Sequence, residues 1–386
     1  MKTPWELLKE SKTKIKTTWR IAFVSALVLG LLIHLPVMLS DIPNHDGLSS
    51  MYFDQNMITS GRWFLTVACG FSSYFTIPWV IGLIGLIWLA LTAAVLTEVL
   101  ELTDPVTITV VSGLLVSFPA LASTFAYVFT MDGYMLALFL AVLAVLFTAK
   151  YPRGYLAGAV CLAFSMGIYQ AYLPFTILLC VYKILLYFME EKGWKEKAKY
   201  VCHYLGMGIA GGVLYYVILQ ILLKLQGKVL DTYQGINSME QMGSGMGILA
   251  TIKGMYVDFL AFTVHGNVLV NNIFSLAACI ILVATVVFLV IRSMIWRKWW
   301  KNPAFFVIMI LLGISMPLLT NVILLISPNL TYHLLMRYQW VLYLILMTAF
   351  ADRYTAEESR TDVVLQWAAL CAAVVLVFDL SLIHIS

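Results

Sequence analysis

Polar side chains that could carry chemistry are concentrated in one short stretch near the N-terminus. Asp41, His45, Asp46, Asp54 and Arg62 fall within 22 residues of a chain that is 62% hydrophobic and only 11% charged. A carboxylate can take a proton from a reacting hydroxyl, and an arginine fork can bind two phosphate oxygens at once. The stretch is therefore the densest candidate for a catalytic or binding site in the sequence.

Long apolar segments must position these groups. The mean hydropathy is +0.91, and continuous apolar runs of about 18 residues or more recur, each long enough to cross a bilayer. Because the runs do not alternate between apolar and polar residues, they predict an all-α polytopic membrane protein and exclude a soluble fold or a β-barrel. The eleven predicted spans are 21–40, 76–97, 106–122, 133–149, 154–169, 173–189, 203–225, 271–291, 304–326, 337–350 and 363–385.

The chain divides into a short interfacial segment, residues 1–20, and one transmembrane domain over residues 21–386. Two outer loops are long, at about 41–75 and 226–270, and each is predicted to contain an amphipathic helix. A weak break inside one long apolar run, at 169–174, separates the fifth span from the sixth. The last predicted span reaches almost to the final residue, which is consistent with a truncated C-terminus.

The distribution of basic residues predicts the orientation. Nineteen of the 24 lysines and arginines fall in loops that share one side if the N-terminus is cytoplasmic, as the positive-inside rule requires. An odd number of spans would then place the C-terminus outside. The net charge of +4 is therefore a signal of topology in a multi-pass cell-membrane protein and does not indicate nucleic-acid binding.

Cysteine and histidine spacing gives no positive sign of a metal or redox site. The six cysteines are scattered, with no CxxC pair, and behave as small apolar residues. His265 and His333 fall in outer segments without a ligand spacing such as HxxxH. We predict no cofactor, and a divalent cation has no support from ligand spacing.

Several motifs in the first half of the chain resemble one enzyme family. They are similar to the membrane glucosyltransferases of serotype conversion, the Gtr type II group, which look like members of the wider GT-C class. The resemblance is strongest over residues 35–190. The motifs that carry it are Asn44–Gly47, Met51–Trp63, Ser117–Pro119, Tyr127–Tyr134 and Tyr169–Tyr172.

The resemblance implies an inverting transferase that moves a sugar, glucose in this family, from a polyprenyl phosphate to a cell-envelope glycan outside the membrane. A one-step inverting transfer needs only one base. GT-C enzymes are similar in placing acidic residues in the first outer loop, but this chain lacks an adjacent acidic pair there. Asp46 is our first candidate for the base and Asp41 the second. Asp46 could instead cap a helix, and Asp41 could simply end the first span.

The remaining candidates are predicted to bind substrate. Arg62 and Arg337 could converge on the phosphate, although an outer arginine beside a span often extends to lipid headgroups. Tyr169 and Gln170 could contact the sugar, and His265 could contact phosphate, although aromatic and histidine residues are also common at this membrane depth.

Asp54 and Asp132 are further candidates for substrate binding. Asp132 falls at the predicted start of the fourth span, so capping that helix is an equal alternative.

Two other classes of membrane protein share this architecture. A transporter or lipid-linked sugar flippase would usually carry charges at mid-span on several helices, whereas the interiors of the spans predicted here are nearly free of charge, with Asp379 inside the last one. A polysaccharide polymerase or ligase usually carries its functional arginines in late outer loops. Arg337 agrees with that pattern, but the acidic first loop argues against it.

Overall fold

The computed structural model describes residues 2–40, 57–70, 77–230, 247–299, 303–327, 330–355 and 359–385. Within these ranges the regular structure is helical. The α-helices, numbered in chain order, are α1 Pro4–Lys14, α2 Thr17–Leu39, α3 Leu65–Ala68, α4 Pro78–Leu100, α5 Pro105–Ser117, α6 Pro119–Phe125, α7 Val128–Lys150, α8 Gly154–Ile168, α9 Leu173–Phe188, α10 Trp194–Gln226, α11 Ile248–Leu260, α12 Ile273–Trp296, α13 Pro303–Thr320, α14 Val322–Ile326, α15 Val341–Tyr354 and α16 Arg360–Ile385.

The predicted polytopic all-α membrane fold is confirmed. Among the described residues, nine helices are long and apolar enough to cross a membrane, or ten if the bent pair α5–α6 is one span. Two shorter apolar helices lie at 154–168 and 304–320. The predicted number of eleven spans therefore stays a prediction.

A helix is present where one was predicted inside the second outer loop. It consists of α11 and a π-helical turn, Ala261–His265. The segment Ile248–His265 also passes the length and composition test for a span, but only 11% of it is buried inside the protein.

Local sequence signals set many of the helix ends. Proline stands at the start of α4, α5 and α6, where its missing N–H costs nothing. The Asp104 carboxylate caps α5 by accepting a hydrogen bond from Thr107 N–H at 2.7 Å. Asn272 and Ser275 form a capping box at the start of α12, and Gly227, with φ +61°, ends α10 in a left-handed conformation.

Helix α7 lies at the centre of the N-terminal half, and it packs against α4 and α8. Helix α2 packs on α4 and α5, and α16 packs on α12 and α5. The C-terminal helices are thereby attached to the N-terminal half.

One end of the bundle, called the basic face below, carries most of the ion pairs. Glu98 accepts hydrogen bonds from Lys16 and Lys150, and Arg292 pairs with Asp362. Every one of these cations belongs to the nineteen predicted to share a side. The other end, called the Arg62 face, carries Arg62 and the loop ends next to it.

Candidate functional site

The Gly61–Arg62 turn at the Arg62 face is held in one conformation. Gly61 has φ +79°, and a Cβ atom there would lie 2.6 Å from both Gln170 Nε2 and Tyr215 Oη. The Tyr215 hydroxyl donates to the Gly61 carbonyl at 3.0 Å, and Gln170 Nε2 donates to that hydroxyl at 2.9 Å. A positive φ favours glycine, and an added Cβ would displace the Gln170 and Tyr215 side chains. These contacts hold the turn and thereby set the direction in which Arg62 leaves the backbone.

The residues that follow Arg62 are anchored to α8. Phe64 N–H donates to the Gly167 carbonyl at 2.7 Å. The Trp63 ring packs so closely on Gly167 that a Cβ atom there would lie 2.6 Å from the ring. The same ring meets Phe164 edge-on, with centroids 5.3 Å apart. The predicted motif around Arg62 is therefore rigid on both sides of the arginine.

The Arg62 guanidinium lies against two stacked tyrosines. Its Nη1 atom is 3.5 Å from Tyr134 Oη, and its Cζ atom is 5.4 Å from the centre of the Tyr169 ring. The two rings are stacked, with centroids 4.3 Å apart and planes 12° apart. Aromatic faces attract a guanidinium through the ring quadrupole. The structure thus brings together Arg62, Tyr169 and Gln170, three residues that were each predicted to bind substrate.

Asp132 lies two residues before Tyr134 in α7. Its side chain is 3% exposed, and its Oδ1 atom accepts a hydrogen bond from Gly133 N–H at 2.9 Å. The alternative that Asp132 caps the helix is wrong, because α7 begins at Val128, five residues before the predicted start of the span. A buried carboxylate inside an apolar helix is costly to retain, so Asp132 stays a candidate for substrate binding.

Arg337 lies in a second polar cluster. Its two terminal nitrogens donate to the two oxygens of Asp258, both at 2.7 Å. Asn321 Nδ2 donates to the same carboxylate at 3.1 Å and to the Met255 carbonyl at 2.9 Å. The guanidinium also stacks on Tyr332, 3.9 Å from the ring centre. Arg337 is therefore a buried partner of α11, with 9% of its surface exposed, and it does not extend to lipid headgroups.

A row of tyrosines connects the two arginine clusters. Tyr169 meets Tyr172 edge-on at 5.6 Å, and Tyr172 meets Tyr338 at 6.4 Å between ring centroids. Tyr338 directly follows Arg337 in the chain. The convergence of Arg62 and Arg337 on one phosphate stays a prediction.

The bend between α5 and α6 supports this row of tyrosines. The two helices meet at 49°, because Pro119 has no N–H to donate to the Leu115 carbonyl. The Tyr338 hydroxyl donates to that carbonyl instead.

The next carbonyl at the bend, that of Val116, accepts a hydrogen bond from His34 Nε2 at 2.9 Å. The His34 ring is also stacked on Phe125, with centroids 4.3 Å apart. His34 was not among the predicted residues, although a histidine inside an apolar run is itself a signal of a buried polar contact.

The remaining predicted residues are placed as follows. Asp41, Asp46 and Asp54 lie outside the described residues. His265 is exposed at the end of the π-helical turn. Within the described ranges, no group of three or more histidine, cysteine or acidic side chains could hold a metal ion.

The fold defines a multi-pass helical membrane protein, with a cluster of arginine and tyrosine side chains at one end of the bundle. Residues 35–378 match the family model described as Glucosyl transferase GtrII. The match covers most of the chain, so the chain belongs to the GtrII glucosyltransferase family, which confirms the resemblance in its motifs. No curated protein and no solved structure matches the chain.

Proposed function

We propose that the protein transfers glucose from a polyprenyl-phosphate carrier to a cell-envelope glycan at the Arg62 face. Membership in the glucosyltransferase family supports the sugar. The observation that supports binding of a phosphate carrier at this face is the position of the Arg62 guanidinium, which lies against the stacked Tyr134–Tyr169 pair. A planar guanidinium suits a phosphate, and its contact with the two buried tyrosine rings holds it at this position.

The proposed reaction is a single inverting displacement. The Asp46 carboxylate accepts the proton of the acceptor hydroxyl, with Asp41 as the alternative base. The acceptor oxygen then forms a bond to the anomeric carbon while the bond from that carbon to the phosphate oxygen breaks. Arg62 stabilises the negative charge on the leaving polyprenyl phosphate.

The proposed orientation places the basic face in the cytoplasm. Nineteen of the 24 basic residues support it, and the ion pairs of Lys16, Lys183 and Arg353 gather at that end. The Arg62 face would then meet the acceptor glycan outside. Asp54, Asp132, Gln170 and His265 are proposed to contribute to substrate binding there.

Arg337 is proposed to act beside Arg62 on the same phosphate. Two of its donors are engaged by Asp258 and a third is aimed at the Tyr332 carbonyl, 3.4 Å away. A guanidinium has five N–H donors. The proposal therefore requires that the donors left over after these contacts are aimed at the substrate.

The test uses the purified protein with polyprenyl-phosphate [14C]glucose and envelope glycan. We expect label to appear in the glycan and unlabelled polyprenyl phosphate to be released. Movement of the donor across vesicle membranes without any glycosidic bond would contradict the proposal and assign a flippase instead.

The proposed base is tested in the same assay by Asp46→Asn. Transfer should be lost, because an amide cannot accept the proton, while expression and melting temperature stay close to wild type, since asparagine also caps helices well. The matched control is Glu191→Gln, an exposed carboxylate at the basic face, which should transfer normally. Activity retained in Asp46→Asn would remove Asp46 as the base and direct the test to Asp41→Asn.

A further inference from the structure

A polar cavity opens at the basic face, at the end opposite to the proposed transfer site. Its volume is about 380 Å³, and it lies between the ends of α4, α7 and α9, next to α10 and α15. The charged residues that line it are Glu98, Glu101, Glu190, Lys150, Lys183, Lys192 and Arg353. Lys192 is neutralised by Glu190, with which it pairs at 2.7 Å.

Two carboxylates in this cavity are each shared by two cations. Glu98 pairs with Lys16 at 2.7 Å and with Lys150 at 2.5 Å. Glu101 pairs with Lys183 at 2.6 Å and with Arg353 at 2.7 Å. Each group of two cations and one carboxylate keeps one positive charge that its own carboxylate does not neutralise.

The charge balance at Glu101 agrees with an excess of cations. Burial raises the pKa of its carboxyl, but hydrogen bonds and charges from Lys183 and Arg353 outweigh burial and hold the pKa below its usual range. Glu101 is therefore ionised at neutral pH, and the excess positive charge remains. The side chain of Lys183 is only 9% exposed, so its charge is screened less than that of a surface lysine.

An apolar cavity of about 300 Å³ borders the polar one along the same seam between α9 and α15. Leu186 lines both cavities. On α15 the apolar lining runs from Leu342 to Phe350, and Arg353, less than one helical turn further, lines the polar cavity. On α9 the apolar lining continues past Lys183 to Met189, so the two cavities lie side by side near this end of the bundle and meet at Leu186.

We propose that this seam binds one anionic phospholipid of the leaflet next to the basic face. Its phosphate would lie in the polar cavity, near Lys183 and Arg353, and one acyl chain would lie in the apolar cavity. Basic pockets between membrane helices attract anionic headgroups, and a soluble phosphate would leave the adjoining apolar cavity without an occupant. The proposal involves none of the residues of the Arg62 face, so it stands independently of the transferase.

The test measures lipid binding by native mass spectrometry on the detergent-purified full-length protein. We expect phosphatidylglycerol to bind in preference to phosphatidylcholine and to resist competition by millimolar inorganic phosphate. Lys183→Gln removes one cation, and binding of phosphatidylglycerol should fall about five-fold, as expected for about 1 kcal/mol per basic residue near a lipid phosphate. The matched control is Lys195→Gln, an exposed lysine nearby on α10, and it should bind normally.

Glu101→Gln separates a lipid site from a purely structural ion-pair network. Removing the carboxylate frees both cations, so binding of phosphatidylglycerol should rise, whereas the lost ion pairs should lower the melting temperature. If the cations only stabilise the carbonyl ends of the helices, the melting temperature falls and lipid binding does not change, which contradicts the proposal.

Leu346→Phe tests the proposed position of the acyl chain, because the larger side chain fills the apolar cavity. We expect phosphatidylglycerol binding to weaken while the headgroup preference remains. Two results would overturn the proposal: equal binding of phosphatidylglycerol and phosphatidylcholine, or inorganic phosphate competing fully in both wild type and Leu346→Phe.

Discussion

The position of Arg62 depends on a glycine whose neighbours leave no room for a side chain. Gly61 combines φ +79° with contacts to Gln170 and Tyr215 at 2.6 Å from an added Cβ. We therefore expect Gly61→Ala to destabilise the protein by roughly 3 kcal/mol, from backbone strain plus overpacking. The measurement is thermal unfolding in detergent.

The control for Gly61→Ala is Gly227→Ala. Gly227 also has a positive φ, +61°, but nothing lies within 4 Å of an added Cβ. Backbone strain alone predicts a loss of about 1 kcal/mol there. Equal losses in the two variants would show that the contacts with Gln170 and Tyr215 do not constrain the turn.

The guanidinium shape of Arg62, and not only its charge, should matter for transfer. Arg62→Lys keeps the charge but loses the fork that binds two phosphate oxygens. We expect the turnover rate at saturating donor to fall about ten- to hundred-fold, with the melting temperature nearly unchanged. Lys253→Gln, an exposed cation on α11, is the control. An Arg62→Lys variant with wild-type turnover would show that Arg62 does not contact the phosphate.

At the residue scale, local motifs predicted part of the site and missed its long-range partners. Arg62, Tyr169 and Gln170 were predicted candidates, and the structure places them together. Asp258 was missed because its partner, Arg337, is 79 positions away, and no local pattern links the two. Such a pair is decided by how helices pack, which a single sequence does not state.

At the element scale, the bend at Pro119 links the first helices to the late polar cluster. Tyr338→Phe keeps the ring but leaves the Leu115 carbonyl without its donor. We expect a loss of about 1 kcal/mol in unfolding free energy, the scale of hydrogen bonds between membrane helices. The measurement is unfolding of the purified protein in a denaturing detergent.

A double-mutant cycle with Pro119→Ala tests the cause of that loss. Alanine restores the N–H that can donate to Leu115 within the helix. Tyr338→Phe should therefore cost less in the Pro119→Ala background than alone. An equal cost in both backgrounds would mean that Tyr338 stabilises the protein only through ring packing.

Helix positions were largely predictable because apolar runs of membrane length dominate them. The predicted break near 169–174 is confirmed, since the chain leaves the helix at Tyr169 and re-enters it through a short 3₁₀ turn, Gln170–Tyr172. Boundaries were less accurate. Helix α7 begins five residues before its predicted start, because the side chains of Thr130 and Asp132 are buried by tertiary packing that hydropathy does not register.

At the scale of the whole molecule, the two ends of the bundle differ in charge and in the residue contacts that they carry. Helix α10 runs from the basic face, where Lys197 donates to the Phe188 carbonyl, to the Arg62 face, where Tyr215 meets Gly61. Helix α12 runs back, since Asn272 pairs with Asp379 at its start and Arg292 pairs with Asp362 near its end. Both α10 and α12 thus have an end at the Arg62 face, on either side of α11.

This arrangement favours an α11 segment that does not cross the membrane. If Ile248–His265 crossed, the stretch 227–247 would have to return through the bilayer first, and its charged residues Lys228, Asp231 and Glu240 would be costly there. Ser238 should therefore lie on the same side as the Arg62 face.

Cysteine labelling in intact cells tests both the side of the membrane on which Ser238 lies and the orientation of the whole chain. In a background without the exposed Cys202 and Cys371, single cysteines at Ser50 and Ser238 should react with an impermeant maleimide, and one at Gly193, beside the basic face, should react only after permeabilisation. The physical reason is that the basic loops stay in the cytoplasm. Labelling of Ser50 without Ser238 would mean that Ile248–His265 crosses the membrane. Labelling of Gly193 alone would reverse the orientation and place the Arg62 site in the cytoplasm, where an acceptor glycan of the outer envelope could not reach it.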